Sequence, residues 1–180
     1  MSEDEQLVRQ FKDERTRSLA LHLIIKKYEK KVYWHIRKIL IDHDDTDDAL
    51  QNTFIKVWEN LLNFREDSKL YTWLYRIATN EALAILKKKR TRFFLPLVDV
   101  EAELSSKIDN SSHYTGNEIE RKLQKALLKL PEKQRIVFNM KYYDDMKYED
   151  MSEVLGTSVG ALKASYHHAV KKIERFLESD

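Results

Sequence analysis

Apolar residues recur at helical spacing through the first half of the chain. Between residues 19 and 41 they fall every three or four positions, with Lys and Arg on the opposite face, which predicts an amphipathic helix. A second helix is predicted to begin near Thr46, a residue suited to an N-cap, and to end near Asn63. A third is predicted from about Ser68 to about Arg92, where consecutive cations suit the negative end of the helix dipole. These three helices are predicted to form a small bundle.

The helical period is lost in residues 93–117, which hold one of the two prolines, one of the three glycines and a short polar cluster. Beyond this segment the period returns and predicts four helices, with Pro131 opening the second and Gly156 closing the third. The chain is therefore predicted to be all-α. We expect two small helical domains, residues 1–92 and 118–180, joined by a flexible linker, and the last two helices have helix-turn-helix spacing.

The composition narrows the class of protein. With 42% hydrophobic and 34% charged residues among 180, a disordered chain is disfavoured, and 3 Gly with 2 Pro argue against a turn-rich β-fold. The absence of Cys excludes a disulfide framework, a cysteine zinc site and a thiol nucleophile. No apolar run approaches the roughly 18 residues of a membrane span, and the acidic N-terminus is unlike a secretory signal. We expect a cytoplasmic protein.

The formal net charge of +2 is distributed unevenly along the chain. Lys plus Arg number 19 against 15 Asp plus Glu in residues 1–92, 1 against 4 in residues 93–117, and 12 against 11 in residues 118–180. Two neutral or basic blocks thus flank an acidic one. Because partners respond to local fields more than to totals, the small net charge does not argue against nucleic-acid binding.

Basic and aromatic residues alternate in residues 64–76, at the start of the third predicted helix. This pattern is typical of binding to single-stranded nucleic acid, because aromatic faces replace base stacking, worth roughly 1–3 kcal/mol per base, while cations hold the backbone. At helical spacing Trp73, Arg76, Asn80 and Lys87 share one side, where the Asn80 amide offers a donor and an acceptor to a base edge. The alternative is that the aromatic residues belong to the core.

Residues 148–173 form a short predicted helix, a turn with glycine and a longer helix. This arrangement is typical of a helix-turn-helix that inserts its second helix into a major groove. Lys163, His167, Lys171 and Lys172 on that helix favour a phosphate-rich partner. A plain helical hairpin with no role in DNA binding has the same pattern and is the alternative.

Five aspartates lie between positions 42 and 48, yet they do not match a calcium loop. Counted from Asp42, such a loop needs Gly where Asp47 stands and a bidentate Glu where Thr53 stands. We interpret these charges as a solvated helix start. Neither a Gly-rich phosphate loop nor a nucleophile elbow nor a metalloprotease motif is found. No metal, cofactor or catalytic residue is predicted, and we do not expect an enzyme.

Four stretches resemble the extracytoplasmic-function (ECF) sigma factors of the bacterial sigma-70 family. The polymerase-binding helix of that family is similar to residues 47–58, DDALQNTFIKVW, with Asn52 where Glu is common. Its promoter-melting and minus-10-reading helix closely resembles residues 71–80, YTWLYRIATN. The start of its minus-35-binding domain is similar to residues 130–135, LPEKQR, and the start of its recognition helix resembles residues 158–163, SVGALK. The resemblance covers nearly the whole chain.

This resemblance implies an RNA polymerase sigma factor that binds minus-35 duplex and melts and reads the minus-10 element. The partners it implies are core RNA polymerase, promoter DNA as duplex and as non-template single strand, and an anti-sigma factor, with no membrane insertion. One alternative is a helix-turn-helix transcriptional regulator that is not a polymerase subunit. Another is a regulatory protein that sequesters a transcription factor without directing transcription.

The resemblance also implies site residues. Those for polymerase binding are Asp48, Leu50, Gln51, Phe54, Ile55 and Trp58, of which Phe54 and Trp58 suit a core role equally. Those for the minus-10 strand are Phe64, Arg65, Ser68, Lys69, Thr72, Trp73, Arg76, Asn80 and Lys87. Those for the minus-35 duplex are Ser158, Val159, Gly160, Lys163, Ser165, Tyr166, His167 and Lys171. The family often has Arg where this chain has Ser165, His168 and Val170, so this recognition helix is less basic.

Overall fold

A computed structural model describes residues 2–93, residue 106 and residues 118–178. The described helices are α1 (Glu3–Lys12), α2 (Arg17–Leu40), α3 (His43–Asn60), a 3₁₀ turn (Leu61–Asn63), α4 (Leu70–Phe93), α5 (Glu118–Leu128), α6 (Glu132–Tyr142), α7 (Tyr148–Leu155) and α8 (Val159–Glu178). The predicted all-α, two-domain fold with a C-terminal helix-turn-helix is confirmed. The predicted linker lies almost wholly outside the described residues. None of the described helices is long and apolar enough to cross a membrane.

Helix α1 was not predicted, so the expectation of three helices in the first 92 residues is wrong. The helix begins with a capping box, in which the Ser2 hydroxyl accepts the Glu5 N–H at 3.2 Å and the Glu5 carboxylate accepts the Ser2 N–H at 2.8 Å. Its Leu7, Val8 and Phe11 are buried in the core cluster that holds α2 and α4 residues. The Ser-x-x-Glu spacing was the signal in the sequence.

Helix α3 begins three residues before the predicted position. Ile41 ends α2 in the left-handed region, with φ of 61°, and its N–H donates to the Arg37 carbonyl at 2.8 Å. The next residue, Asp42, is the N-cap of α3, because its carboxylate accepts the Asp45 N–H at 2.9 Å. Thr46, the predicted N-cap, is buried and donates its hydroxyl to the Asp42 carbonyl. The acidic run therefore forms a helix start, as interpreted from the sequence.

Helix α4 is the central element of the N-terminal unit, residues 3–93. Its inner face carries small and branched residues at spacings of four, and all of them are buried among α1, α2 and α3: Leu70, Leu74, Ala78, Ala82 and Leu86. Ion pairs from Lys56 to Glu81 and from Lys89 to Asp45 join α4 to α3 at the rim of this core. The orientation of α4 therefore fixes which of its residues face outward.

The C-terminal unit, residues 118–178, has a hydrophobic cluster of its own. Leu127 of α5, Phe138 of α6 and Ile173 of α8 are buried together there. Gly156 ends α7 with φ of 62°, a left-handed conformation that glycine adopts without steric cost. This turn sets the angle between α7 and α8.

The two units also pack against each other, with α7 on α4 and α6 on α2. Met146, Met151 and Val154 are buried in the same cluster as Leu70 and Leu74 of the N-terminal unit. The predicted boundaries of the two domains stay a prediction, since helix packing crosses between them.

Asp144 lies at the centre of the polar part of this contact. Its carboxylate accepts a hydrogen bond from Lys38 Nζ at 2.5 Å and lies 3.2 Å from His35 Nδ1. Burial alone would raise the pKa of Asp144, but the hydrogen bond and charge of His35, and then Lys38, hold it below its usual value. This carboxylate is therefore compensated by the Lys38 ammonium and the His35 ring of the other unit.

We predict that Phe11→Ala lowers the free energy of unfolding by about 3–5 kcal/mol, because the ring is fully buried and its removal leaves a cavity. Urea unfolding followed by circular dichroism measures the change. Leu19→Ala is the control, since Leu19 is 58% exposed and its truncation should cost no more than about 0.5 kcal/mol. Equal effects of the two substitutions would contradict the assignment of α1 to the core.

Candidate nucleic-acid interface

The outer face of α3 carries large apolar side chains that the core does not cover. Ile55 and Trp58 of α3 and Leu62 of the 3₁₀ turn that follows it expose 48%, 41% and 44% of their surface, and Asp48 and Gln51 are exposed on the same face of α3. These five positions are three or four residues apart, so they form one stripe. Grouped apolar residues on a surface mark a contact with another protein. Four of the six predicted polymerase-binding residues thus lie on one accessible helix face: Asp48, Gln51, Ile55 and Trp58.

Two of the predicted polymerase-binding residues lie beneath this stripe. Leu50 and Phe54 are half-buried and pack against the N-terminal core. The ring of Trp58 lies edge-on to Phe11 of α1, with centroids 5.5 Å apart. Trp58 therefore both covers the core and contributes to the exposed stripe, which combines the two roles that the sequence left open.

A loop of residues 64–69 leads into α4 and borders a cavity of about 710 Å³. Phe64 anchors the loop, because it is buried and its ring lies 5.2 Å from that of Trp73. Glu66 has φ of 61° and its carboxylate accepts Lys12 Nζ at 2.8 Å, which ties the loop to α1. The loop is therefore held to the body of the N-terminal unit at two points.

The cavity beside this loop is largely acidic in the described structure. Carboxylates reach it from α1, from the loop and from α7: Asp4, Glu5, Glu66, Asp67, Asp150 and Glu153. Lys69, a predicted minus-10 contact, donates to both carboxylate oxygens of Asp150, at 2.9 and 3.1 Å. Four of these six carboxylates belong to α1 and the loop, so a phosphate backbone would be repelled from this cavity.

The outer face of α4 presents polar side chains in a line. Arg76, Asn80 and Lys87 are exposed at helical spacing, and Trp73 is half-buried at the end of the line beside the loop. Arg65 and Ser68 lie in the loop itself, exposed and half-exposed. The structure thus brings most of the predicted minus-10 residues to one side of the N-terminal unit.

Thr72 and Phe64 differ from this arrangement, because both are buried. The Thr72 hydroxyl has no hydrogen-bond partner within the described residues. A side chain that points into the core cannot reach a nucleic acid in this conformation. The helical period explains the difference for Thr72, which lies about 100° from Trp73 and so turns inward.

The C-terminal unit presents α8 as the second helix of the helix-turn-helix. The Ser158 hydroxyl accepts the Ala161 N–H at 3.3 Å, which caps the first turn of α8. Among the predicted minus-35 residues, those exposed to solvent are Ser158, Gly160, Lys163, His167 and Lys171, and those partly buried are Val159, Ser165 and Tyr166. The Tyr166 ring stacks on Phe138 at 5.7 Å, so it supports the helix from below. The exposed face of α8 carries the positive charge.

The sequence missed the residues that join the two units. Lys38 and His35 of α2 meet Asp144, and Lys69 meets Asp150, across separations of 106, 109 and 81 residues. No local pattern signals a contact between residues so far apart. Tyr71 lies between the Asp144 and Asp150 contacts. Its pKa is raised, mainly because the side chain is partly buried and then because the carboxylates of Asp150 and Asp144 are near.

Two family models match the chain. Sigma-70 region 2 matches residues 24–92, and Sigma-70, region 4 matches residues 120–173. An RNA polymerase sigma-H factor from Pseudomonas aeruginosa is 30% identical over 186 aligned positions, which cover 98% of this chain and 94% of that protein. The ECF RNA polymerase sigma factor SigW from Bacillus subtilis is 28% identical, covering 86% of this chain and 87% of that one.

Solved structures share the fold. CnrH in complex with the cytosolic domain of CnrY superposes with a TM-score of 0.72 at 23% identity, covering 98% of each chain. The sigma factor RpoE in complex with the anti-sigma factor NepR from Bartonella quintana gives a TM-score of 0.68 at 20% identity, covering 88% of this chain and 97% of that one. Similarity at this level of identity establishes the fold alone.

Proposed function

The chain belongs to the ECF sigma factors of the sigma-70 family, and from this premise we propose how its surfaces divide the work of starting transcription. A sigma factor directs core RNA polymerase to promoters and opens the DNA there. The family matches support this function and not that of a helix-turn-helix regulator acting apart from polymerase. Synthesis of RNA belongs to the core enzyme, so no catalytic step is assigned to this chain.

The stripe on α3 is the polymerase-binding surface in this proposal. Ile55, Trp58 and Leu62 supply exposed apolar surface that would be buried on binding. Gln51 adds a hydrogen-bonding group beside them. All of the stripe except Leu62 lies within residues 47–58, the segment that resembles the polymerase-binding helix of the family. It is exposed while the two units are packed together, so polymerase can reach it first.

The line on α4 and the adjoining loop read the non-template strand of the minus-10 element. Arg76 and Lys87 neutralise phosphates, while the Asn80 amide contacts a base edge. The loop supplies backbone groups outside a helix, which are available to a flipped base. This role is supported by one observation above all: the inner face of α4 is buried in the core. Because that packing fixes the rotation of the helix, the outer face holds these side chains in fixed positions.

The exposed face of α8 holds the minus-35 duplex. Lys163, His167 and Lys171 lie on this face, where a helix in the major groove meets base edges and flanking phosphates. Duplex contacts of this kind position the polymerase, and the α4 contacts then select the strand to be opened. The chain acts in the cytoplasm in this proposal, where core polymerase is found.

An anti-sigma factor is a further partner in this proposal. A solved structural neighbour, RpoE of Bartonella quintana, is described in complex with an anti-sigma factor. The exposed apolar stripe on α3 is a surface that such a partner would cover in order to exclude polymerase.

We predict that Gln51→Glu with Ile55→Glu abolishes binding to core polymerase and run-off transcription, because two charges would be buried in an apolar contact. The measurements are affinity for purified core enzyme and run-off product from a pooled promoter library. The matched control is Leu19→Glu with Leu23→Glu, which places the same charges four residues apart on exposed positions of α2. Retained transcription by the α3 variant, or equal loss by the α2 variant, would remove α3 from the polymerase contact.

We predict that Asn80→Ala weakens open-complex formation by about 1–3 kcal/mol, the value of a lost base-edge contact, with polymerase affinity unchanged. Permanganate footprinting measures strand opening, and a template melted in advance should restore the lost opening. Gln6→Ala on α1 is the control, because it also removes an exposed amide. Unchanged opening on duplex templates would leave Asn80 as a surface residue without a role.

We predict that Lys163→Ala weakens the closed complex and lowers the slope of log affinity against log salt concentration by about 1, since one phosphate contact releases about one counterion. Affinity of the holoenzyme for duplex promoter, measured at several salt concentrations, gives this slope. Lys26→Ala removes an exposed charge from α2 and should leave the slope unaltered. A template melted in advance should not rescue Lys163→Ala, and rescue there would place Lys163 in strand opening instead.

A further inference from the structure

A basic groove lies between α2 and the first turns of α4. Its volume is about 620 Å³, within the range of small-ligand sites. The described residues that line it are four lysines of α2, five aromatic residues and one aspartate, Asp144. Cations outnumber carboxylates in this lining, so the groove attracts anions. The proposed function uses none of these lysines and aromatic residues.

The middle of the basic groove carries positive charge that no described carboxylate neutralises. Lys27 and Lys38, at its two ends, each form an ion pair. Lys30 and Lys31 lie between them and are exposed, and neither forms an ion pair with a described residue. Two neighbouring ammonium groups suit a ligand with adjacent anionic oxygens, such as a chain of phosphates.

An exposed indole lies beside these two lysines. Trp34 is one helical turn beyond Lys30, lines the basic groove and is 38% exposed. Its ring is braced by that of Tyr33, which lies edge-on to it with centroids 5.5 Å apart. An indole ring that is held in place and partly exposed offers a flat surface on which a nucleobase can stack.

Tyr75 supplies a hydroxyl at the buried side of the basic groove. The residue is 3% exposed, and its ring lies 4.8 Å from that of Tyr71 and 4.6 Å from that of His35. Its hydroxyl forms no hydrogen bond with a described residue, although burial makes such a bond favourable. An oxygen of a ligand in the groove can accept this hydrogen bond, so the groove offers a polar contact besides its charges.

Carboxylates at both ends of the basic groove limit the length of its ligand. Lys27 Nζ lies 2.6 Å from a Glu3 oxygen and 2.8 Å from an Asp4 oxygen. Lys38 Nζ lies 2.5 Å from an Asp144 oxygen. These two lysines are eleven residues apart, about 16 Å along α2 at roughly 1.5 Å per residue. The phosphates of a continuous strand would meet carboxylates at both ends and be repelled, so the groove suits a short ligand.

We propose that the basic groove binds a nucleoside diphosphate or triphosphate, with the base stacked on Trp34 and the phosphates on Lys30 and Lys31. The Tyr75 hydroxyl donates to an oxygen of the same ligand. An inorganic anion would leave the aromatic rings of the groove unused, and a neutral aromatic molecule would leave its lysines without a counterion. A nucleotide carries both features at the spacing of one helical turn and fits the volume of the groove.

Isothermal titration calorimetry on the full chain, at low salt and without polymerase, tests this site with ADP as the ligand. Adenosine and inorganic pyrophosphate carry the two halves of ADP separately. Each should bind at least about tenfold more weakly than ADP, because adenosine loses the charge contacts and pyrophosphate loses the stacking contact.

Substitutions in the basic groove should separate these two contributions. Lys30→Gln with Lys31→Gln should weaken the binding of ADP and of pyrophosphate alike, by about tenfold. Trp34→Leu should weaken ADP binding by about tenfold and leave pyrophosphate binding unchanged, a difference that a loss of structure would not produce. Tyr75→Phe should weaken ADP binding by about threefold, since it removes only the hydroxyl.

The matched control is Lys26→Gln with Lys122→Gln, which removes two exposed lysines that do not line the groove. This variant should keep the ADP affinity of the unchanged chain, and circular dichroism should report equal helicity for all variants. Absence of ADP binding, equal affinity for ADP and pyrophosphate, or equal loss in the control would overturn the proposal. Tighter binding of an oligothymidylate, lost in the same groove variants, would also overturn it, because the groove would then bind a strand.

Discussion

Helix α4 completes a hydrophobic core with one face and presents a line of polar side chains on the other, and the rest of the structure depends on this constraint. Its inner residues at spacings of four, such as Leu74 and Ala78, are fully buried among α1, α2 and α3. Because these contacts fix the rotation of the helix, Arg76 and Asn80 face outward in a set register. Ion pairs from Lys56 and Lys89 hold α4 against α3, where the polymerase stripe lies. The surfaces proposed for strand reading and for polymerase binding therefore belong to one packed unit.

The C-terminal unit uses the same first turns of α4 for a different purpose. Apolar residues of α7 complete the core beside Leu70 and Leu74, while Asp144 and Asp150 pair with cations at its border. A buried carboxylate is tolerated only when paired, so Asp144 with His35 and Lys38 fixes one docking position rather than several.

Much of the proposed functional surface could be predicted because its signals are local. Helical spacing alone places Arg76, Asn80 and Lys87 on one side of a helix, and the structure has them there. The same spacing, applied with the core in view, explains why Thr72 faces inward. For Trp58 the sequence left a core role and a contact role open, and the structure is compatible with both, because its ring packs against Phe11 of α1 while 41% of its surface is exposed.

The sequence by itself determined the helical class, the helix-turn-helix with its glycine turn, and the family, since each depends on residues close together along the chain. It also contained the start of α1, in the spacing of Ser2 and Glu5. Only the tertiary structure decided that Asp144 pairs with Lys38 and Asp150 with Lys69, and that carboxylates of α1, the loop and α7 line one acidic cavity. The physical reason is that these ion pairs depend on distance in the folded structure. Their partners are 81 to 109 residues apart in the sequence, and no periodic pattern of residues relates positions so far apart.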